Sequence, residues 1–183
     1  MIDIQVEMPG DGSAIEQLLD LSFGPDREHL PSYRLRQGIA ADGALGLTAS
    51  DGNRLVGTLR FWPVLVVGRT PALLLGPLAV DPGYRRQGIA RNLVKHGLGR
   101  ARARGHGMVF AVGDQWMFGR FGFTPATPLG LAMTGQADDS RFLVLALKGG
   151  ALAGMEGVLC PVQASPPGQV PDKIAEADLT VAM

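Results

Sequence analysis

Arg85-Arg86-Gln87-Gly88-Ile89-Ala90 stands between the apolar run Leu73-Leu74-Leu75-Gly76-Pro77-Leu78-Ala79-Val80 and a basic segment of helical length that reaches Arg104. The apolar run has the composition of a buried strand, and Asp81-Pro82-Gly83-Tyr84 that of a turn. A glycine where a helix opens leaves several backbone N–H groups without an intrahelical acceptor, and the macrodipole adds partial positive charge at the same end. Strand, turn, glycine loop and helix in that order predict a phosphate-binding turn.

Working outward, Ile89, Leu93, Val94, Gly97, Leu98 and Ala101 fall on one helical face, with Gly97 permitting close packing and Gly105 ending the helix. Met108 to Val112 is short and continuously apolar, as a central strand covered on both faces should be. Asp114 is placed to cap a short helix that ends near Gly122, and Phe142–Leu147 and residues 155–162 read as late extended segments. Upstream, Ile2 to Glu7 alternates as a strand. Ser13 is placed to cap a helix with Ala14, Leu18, Leu19 and Phe23 as its stripe, and Tyr33 to Ile39 is expected as a second short helix. Residues 43–50 and 54–67 read as a hairpin about Asp51-Gly52-Asn53, and Gly68-Arg69-Thr70-Pro71 leads into strand 72–80.

Pro77 sharpens the reading of that strand. Proline donates nothing to a ladder, so Gly76-Pro77 should spread the strand from a neighbour just before Leu78-Ala79-Val80. The freed backbone groups would face a cleft, where an extended, amide-bearing ligand can pair with them as a substitute strand. With the phosphate turn a few residues later, one ligand could use both.

Composition limits the alternatives. The chain has 183 residues, 46% apolar and 19% charged, which predicts one folded domain rather than a disordered chain. Seventeen basic and seventeen acidic residues cancel, which argues against nucleic acid or a membrane as partner. Locally the balance fails: residues 82–113 hold no Asp or Glu but include Arg85, Arg86, Arg91, Lys95, Arg100, Arg102 and Arg104. Arg86 and Arg91 are the phosphate-adjacent candidates, whereas Arg100 to Arg104 suit the helix C-terminus. Cys160 is the single cysteine, expected as a small buried hydrophobe, and no cysteine cage or histidine spacing suggests a metal. No stretch has membrane-spanning length and the amino terminus has no signal core, so a cytoplasmic protein is expected. The absence of G-x-x-x-x-G-K-[ST], and of G-x-G-x-x-G after the first strand, argues against P-loop and Rossmann nucleotide sites.

Taken together, these residues resemble the GNAT superfamily of N-acetyltransferases. Arg85–Ala90 matches its pyrophosphate loop R/Q-x-x-G-x-G/A. Downstream, Gly113-Asp114 and Phe118-Gly119-Arg120-Phe121-Gly122-Phe123-Thr124-Pro125-Ala126 resemble a GD…RFGF segment of one branch of predicted acetyltransferases. The resemblance covers about residues 2 to 162 in element order and about 75 to 126 at motif level. It implies an α/β fold of α+β character over residues 1–163, with a mixed, mostly antiparallel sheet flanked by helices, and an irregular tail over 164–183. Acetyl-CoA is the implied cosubstrate, with no metal, and the implied acceptor is a small-molecule or peptide amine. Backbone groups of Leu78, Ala79 and Val80 would pair with the pantetheine arm, and the Val80 N–H would meet the thioester oxygen. Arg85, Arg86, Gln87, Gly88, Ile89, Ala90 and Arg91 would surround the pyrophosphate. The amine would attack directly, without a covalent enzyme intermediate.

One position departs from the family pattern. Many members carry a tyrosine four residues before the glycine of the G-F pair, as acid for the leaving thiolate, and here that position is Phe118. The departure keeps open a second class, a non-catalytic acetyl-CoA-binding sensor, and a third reading, an enzyme for longer acyl chains admitted by Trp116–Phe118. Asp114 is weighed as a cap before a base, and Arg120 as a tie between short helix and sheet. Acceptor sites in such folds draw on segments here near 23–36 and 126–162, where Asp26 and Glu28 could attract a cation. A late strand with a free edge could pair two copies into a homodimer.

Overall fold

The computed structural model describes residues 1–135 and 138–162. The expected tail at 164–183 lies outside the described residues. Among the described residues, nine strands form one sheet: β1 (Ile2–Val6), β2 (Leu47–Asp51), β3 (Arg54–Val66), β4 (Thr70–Val80), β5 (Met108–Val112), β6 (Thr124–Pro125), β7 (Leu131–Met133), β8 (Phe142–Ala146) and β9 (Gly157–Pro161). The main path runs β1-β2-β3-β4-β5-β8-β6, and β9 joins the far half of β3 and pairs with β7. Neighbours are antiparallel except for β4–β5 and β7–β9. The fold is the expected mixed, mostly antiparallel α/β sheet with flanking helices.

Among the described residues, four α-helices accompany the sheet: α1 (Gly12–Phe23), α2 (Pro31–Arg34), α3 (Ile89–Ala103) and α4 (Gln115–Phe118). The face of α3 buries Ile89, Leu93, Val94, Gly97, Leu98 and Ala101, the residues that its periodicity selects, against Leu59, Phe61, Leu73 and Leu75. Strand alternation turns Ala72 and Leu74 to the opposite face, where they pack with Phe110, Val144 and Leu35. There α1 covers Ala79 with Ile15, Leu18 and Leu19.

Several local expectations are corrected. Asp11, not Ser13, is the N-cap of α1, and Ile15 replaces Ala14 in its buried stripe, while Phe23 is 47% exposed. The second helix is Pro31–Arg34 rather than Tyr33 to Ile39, because Pro31 sets the first turn and the chain is in turns from Leu35. The hairpin turn stands where expected, but β2 begins at Leu47, since residues 43–45 form a turn closed by Leu45 N–H on Asp42 O. Cys160 is half-buried on β9 opposite Leu65, not a core residue. Of the late strands, β8 lies between β5 and β6 and β9 between β3 and β7, whereas β6 and β7 have one strand neighbour each. Among the described residues, no helix is long and apolar enough to cross a membrane.

Candidate active site

The site is organised by β4. Its first half is held on both sides: Leu73, Leu74 and Leu75 pair with Val109, Phe110 and Ala111 of β5, while β3 runs along the other edge. At Gly76-Pro77, a cis peptide, the register with β3 skips, so Leu59 opposes Leu78 and Phe61 opposes Leu75. Two β4 residues thus face Arg60 alone, which is the bulge that the proline predicts. Beyond it β4 has left β5 altogether.

Backbone alternation then orients the released segment. The Asp81 N–H donates to Val56 O on β3 at 2.9 Å. Amides alternate sides along a strand, so those of Val80 and Leu78 point the other way, into the space that β5 has vacated. Leu78 and Val80 line a cavity of about 500 Å3 there, together with Tyr84, Arg85, Arg86, Gly88, Ile89, Ala90 and Arg91. Two expected residues are not on its wall. The Ala79 side chain is buried against α1 on the opposite face, and Gln87 is exposed.

The loop into α3 has backbone in the left-handed region at both Arg86 (φ 63°) and Gly88 (φ 79°). Such a conformation is unfavourable for an arginine and persists where the surroundings hold it. Among the described residues, none of the amides of Arg86 through Arg91 donates to a backbone carbonyl, and the first α3 bond is Asn92 N–H to Gly88 O at 2.9 Å. These orphan donors converge where the α3 dipole is positive, a cradle for anionic oxygens. Asp81 pins the approach: its carboxylate accepts from Gly83 N–H at 2.8 Å and from Arg54 at 2.7 Å. Those bonds, the Gly83 one foremost, hold its carboxyl below the usual carboxylate range.

The far wall is supplied by residues whose role the sequence left undecided. Trp116, 73% exposed, and Met117 face the cavity with Phe121 and Arg120. The Arg120 guanidinium lies 5.8 Å from the Trp116 ring centroid. Phe118 is 3% exposed and edge-on to Phe123 at 5.4 Å, so its ring belongs to the core. Asp114 is the N-cap of α4 by position, but its side chain makes no capping bond and instead lies 3.6 Å from Arg141. No cluster of three or more His, Cys, Asp or Glu among the described residues could hold a metal ion.

A second cavity of about 580 Å3 opens on the other side of the bulge, walled by Phe23, Tyr33, Arg36, Pro77, Asp114 and Arg141 among others. It shares Leu78 and Met117 with the first, so the two meet at the released segment of β4. A smaller space of about 270 Å3 continues from it past Tyr33, Arg36 and Pro77 to Glu28 and Arg60. Glu28, expected as an acceptor-side acid, is on that wall; Asp26 is on neither. The arrangement can therefore hold an elongated anionic ligand on one side of β4 and a second molecule on the other.

Comparison with known proteins agrees with this geometry. The family model described as the acetyltransferase (GNAT) family matches residues 13–123. The chain is 38% identical over 160 residues to the uncharacterized N-acetyltransferase YhbS of Escherichia coli K12, covering 85% of this chain and 93% of that protein. A crystal structure of the Escherichia coli YhbS in complex with CoA superposes with a TM-score of 0.75 at 36% identity, over 87% of this chain and 89% of that one. A GNAT family acetyltransferase from Brucella melitensis in complex with acetyl-CoA gives a TM-score of 0.66 at 25% identity, over 90% and 97% of the two chains.

Proposed function

The chain belongs to the GNAT acetyltransferase family, and from that premise we propose that it transfers an acetyl group from acetyl-CoA to a primary amine by direct attack. The observation that carries this reading is the released half of β4, with unpaired Leu78 and Val80 amides beside the orphan donors of Arg86–Arg91. The residues fit the cofactor: a 500 Å3 cavity lined by four arginines, Arg85, Arg86, Arg91 and Arg120, suits a pyrophosphate with an apolar arm. The proposed catalytic domain is residues 1–163, and the proposed site of action is the cytoplasm.

When bound, acetyl-CoA supplies the thioester carbonyl, whose C–S bond breaks as the amine nitrogen bonds to carbon. Leu78 and Val80 bind the arm through the backbone groups that face away from β3, while Ala79, whose backbone faces β3, holds the strand in place. The Val80 N–H stabilises the negative charge that develops on the carbonyl oxygen, a contribution of about 3 kcal/mol for one preorganised donor. Arg85, Arg86 and Arg91 surround the pyrophosphate, with the amides of Gln87, Gly88, Ile89 and Ala90. The amine enters through the 580 Å3 cavity, loses its proton to solvent, and the thiolate is protonated by water or a side chain other than Phe118.

Calorimetry with acetyl-CoA on the wild type and a Gly88→Glu variant tests the reading. Gly88 has nothing within 4 Å of the position of a Cβ, so the carboxylate enters open space, with strain confined to its φ of +79°. Binding by the wild type, lost in a folded variant, supports the site; no binding by the wild type overturns it. Thiol release across an amine panel then separates the enzyme from a non-catalytic acetyl-CoA sensor.

A further inference from the structure

Arg36 is only 8% exposed, yet among the described residues it has no counter-ion. Its guanidinium carbon lies 4.6 Å from the Tyr33 ring centroid and 5.7 Å from that of Trp62, and its Nε and Nη1 are buried without a hydrogen-bond partner. The Tyr33 hydroxyl is likewise buried; it comes near Arg36 and partly supports its charge, without a hydrogen bond of ordinary geometry. Neighbouring cations are treated differently. Arg27 pairs with Glu16 and Asp20, Arg60 with Glu7 and Glu16, and Arg141 lies beside Asp114. Among the described residues lining the two acceptor-side cavities, Arg36 is the one cation outside every ion pair. Both cavities have Arg36 and Tyr33 on their walls.

An uncompensated buried charge is costly, and two aromatic faces offset that cost only in part. Burial accordingly pulls the Arg36 guanidinium down to about 10. Natural chains tolerate such a defect where binding removes it, because a site left with an unpaired polar group discriminates strongly for the ligand that pairs it. One unpaired cation calls for one negative charge, and a flat guanidinium between two rings presents its edge to a planar partner.

Resting on the acetyltransferase reading, we propose that Arg36 and the Tyr33 hydroxyl form a carboxylate subsite, so that the acceptor is an amine that also carries a carboxylate, a free amino acid or a close analogue. The carboxylate sits at Arg36, and the amine points through the 580 Å3 cavity toward Leu78 and the thioester. The reaction is the one proposed above, with the carboxylate unchanged in the product.

The test pairs each of a panel of α-amino acids with its α-amide and measures thiol release from acetyl-CoA by wild type, Arg36→Met and Arg36→Lys. Calorimetry of the same probes and their N-acetylated products on the CoA-loaded protein gives binding without turnover. The expected wild-type preference for carboxylate over amide is about 10- to 100-fold in kcat/KM, mostly through KM, the range of a charge-assisted bond. It should vanish in Arg36→Met and persist in part in Arg36→Lys, with acetyl-CoA affinity unchanged in both. Arg36→Met should also melt no lower than the wild type, which a purely structural role for the arginine would not allow. Equal use or equal binding of acids and amides, a preference that survives in Arg36→Met, or no binding by any carboxylate probe to a protein that binds acetyl-CoA overturns the subsite alone. Failure of the wild type to bind acetyl-CoA overturns the underlying reading instead.

Discussion

The indole N–H of Trp62 donates to the carbonyl oxygen of Gly76 at 2.7 Å, so a β3 side chain holds β4 at the place where the backbone ladder skips. Trp62→Phe keeps a ring in the strand and removes the donor. The half-buried carbonyl then loses its partner, a cost of about 1–3 kcal/mol, and the bulge loosens. A melting temperature lowered by several degrees, with a several-fold loss of kcat/KM, is expected; unchanged turnover would show that the bulge holds its shape without this bond.

Helix α3 supplies a pair of glycine substitutions with opposite signs. A Cβ on Gly97 would stand 2.6 Å from Cε2 of Phe61, a fully buried ring, so Gly97→Ala forces helix and sheet apart and should destabilise by about 1–3 kcal/mol. Gly99 is exposed, in the same helix, with nothing within 4 Å. Gly99→Ala should therefore stabilise by about 0.5–1 kcal/mol through helix propensity. Urea titrations of the two variants read both signs directly.

Asp81 gives a pH dependence. Its carboxyl is held below the usual range in the folded protein, chiefly by Gly83 N–H and then by Arg54. A depressed acid stabilises the fold above its ordinary pKa and loses that contribution as pH falls through the folded value. The melting-temperature advantage of wild type over Asp81→Asn should be full at pH 7 and shrink below about pH 4. Acetyl-CoA affinity at pH 7 should also fall, because the loop into α3 loses its ionic anchor.

Restoring the tyrosine of the family pattern should not restore an acid. The Phe118 ring is enclosed, edge-on to Phe123 and so close to Gly113 that a Cβ there would lie 2.5 Å from Cε2. Phe118 also lines the 580 Å3 cavity, but a ring only 3% exposed leaves a Phe118→Tyr hydroxyl largely desolvated, at a cost of about 1–3 kcal/mol. A lower melting temperature with no gain in kcat is expected, and a rate that rises through the acceptor's own amine pKa. A gain in kcat with a new alkaline limb would assign the acid role to this position.

Features that rest on one strong chemical constraint were legible in the sequence. The α3 face follows from helical spacing, and the break in β4 follows from a proline that cannot donate. The wall of the donor-side cavity was legible where a motif covered it, and incompletely beyond, since nothing local says that Trp116 faces out while Phe118 faces in. The strands β6 and β7 have two and three residues, too few for alternation to register. Arg36 was illegible for a different reason. An arginine in a polar stretch reads as solvated, and its burial is created by Trp62 and Pro77 from strands distant in sequence.

The skip at Gly76-Pro77 also bears on how such a chain diversifies. Of the residues that wall the 500 and 580 Å3 cavities, Leu78 and Met117 are the two in common. Substitutions around Tyr33 and Arg36 therefore reach one cavity and leave the other intact, and drift in the α3 loop does the converse. A single irregularity in one strand separates two chemistries into independently mutable halves, so a lineage can change one partner of a two-substrate reaction while inheriting the other.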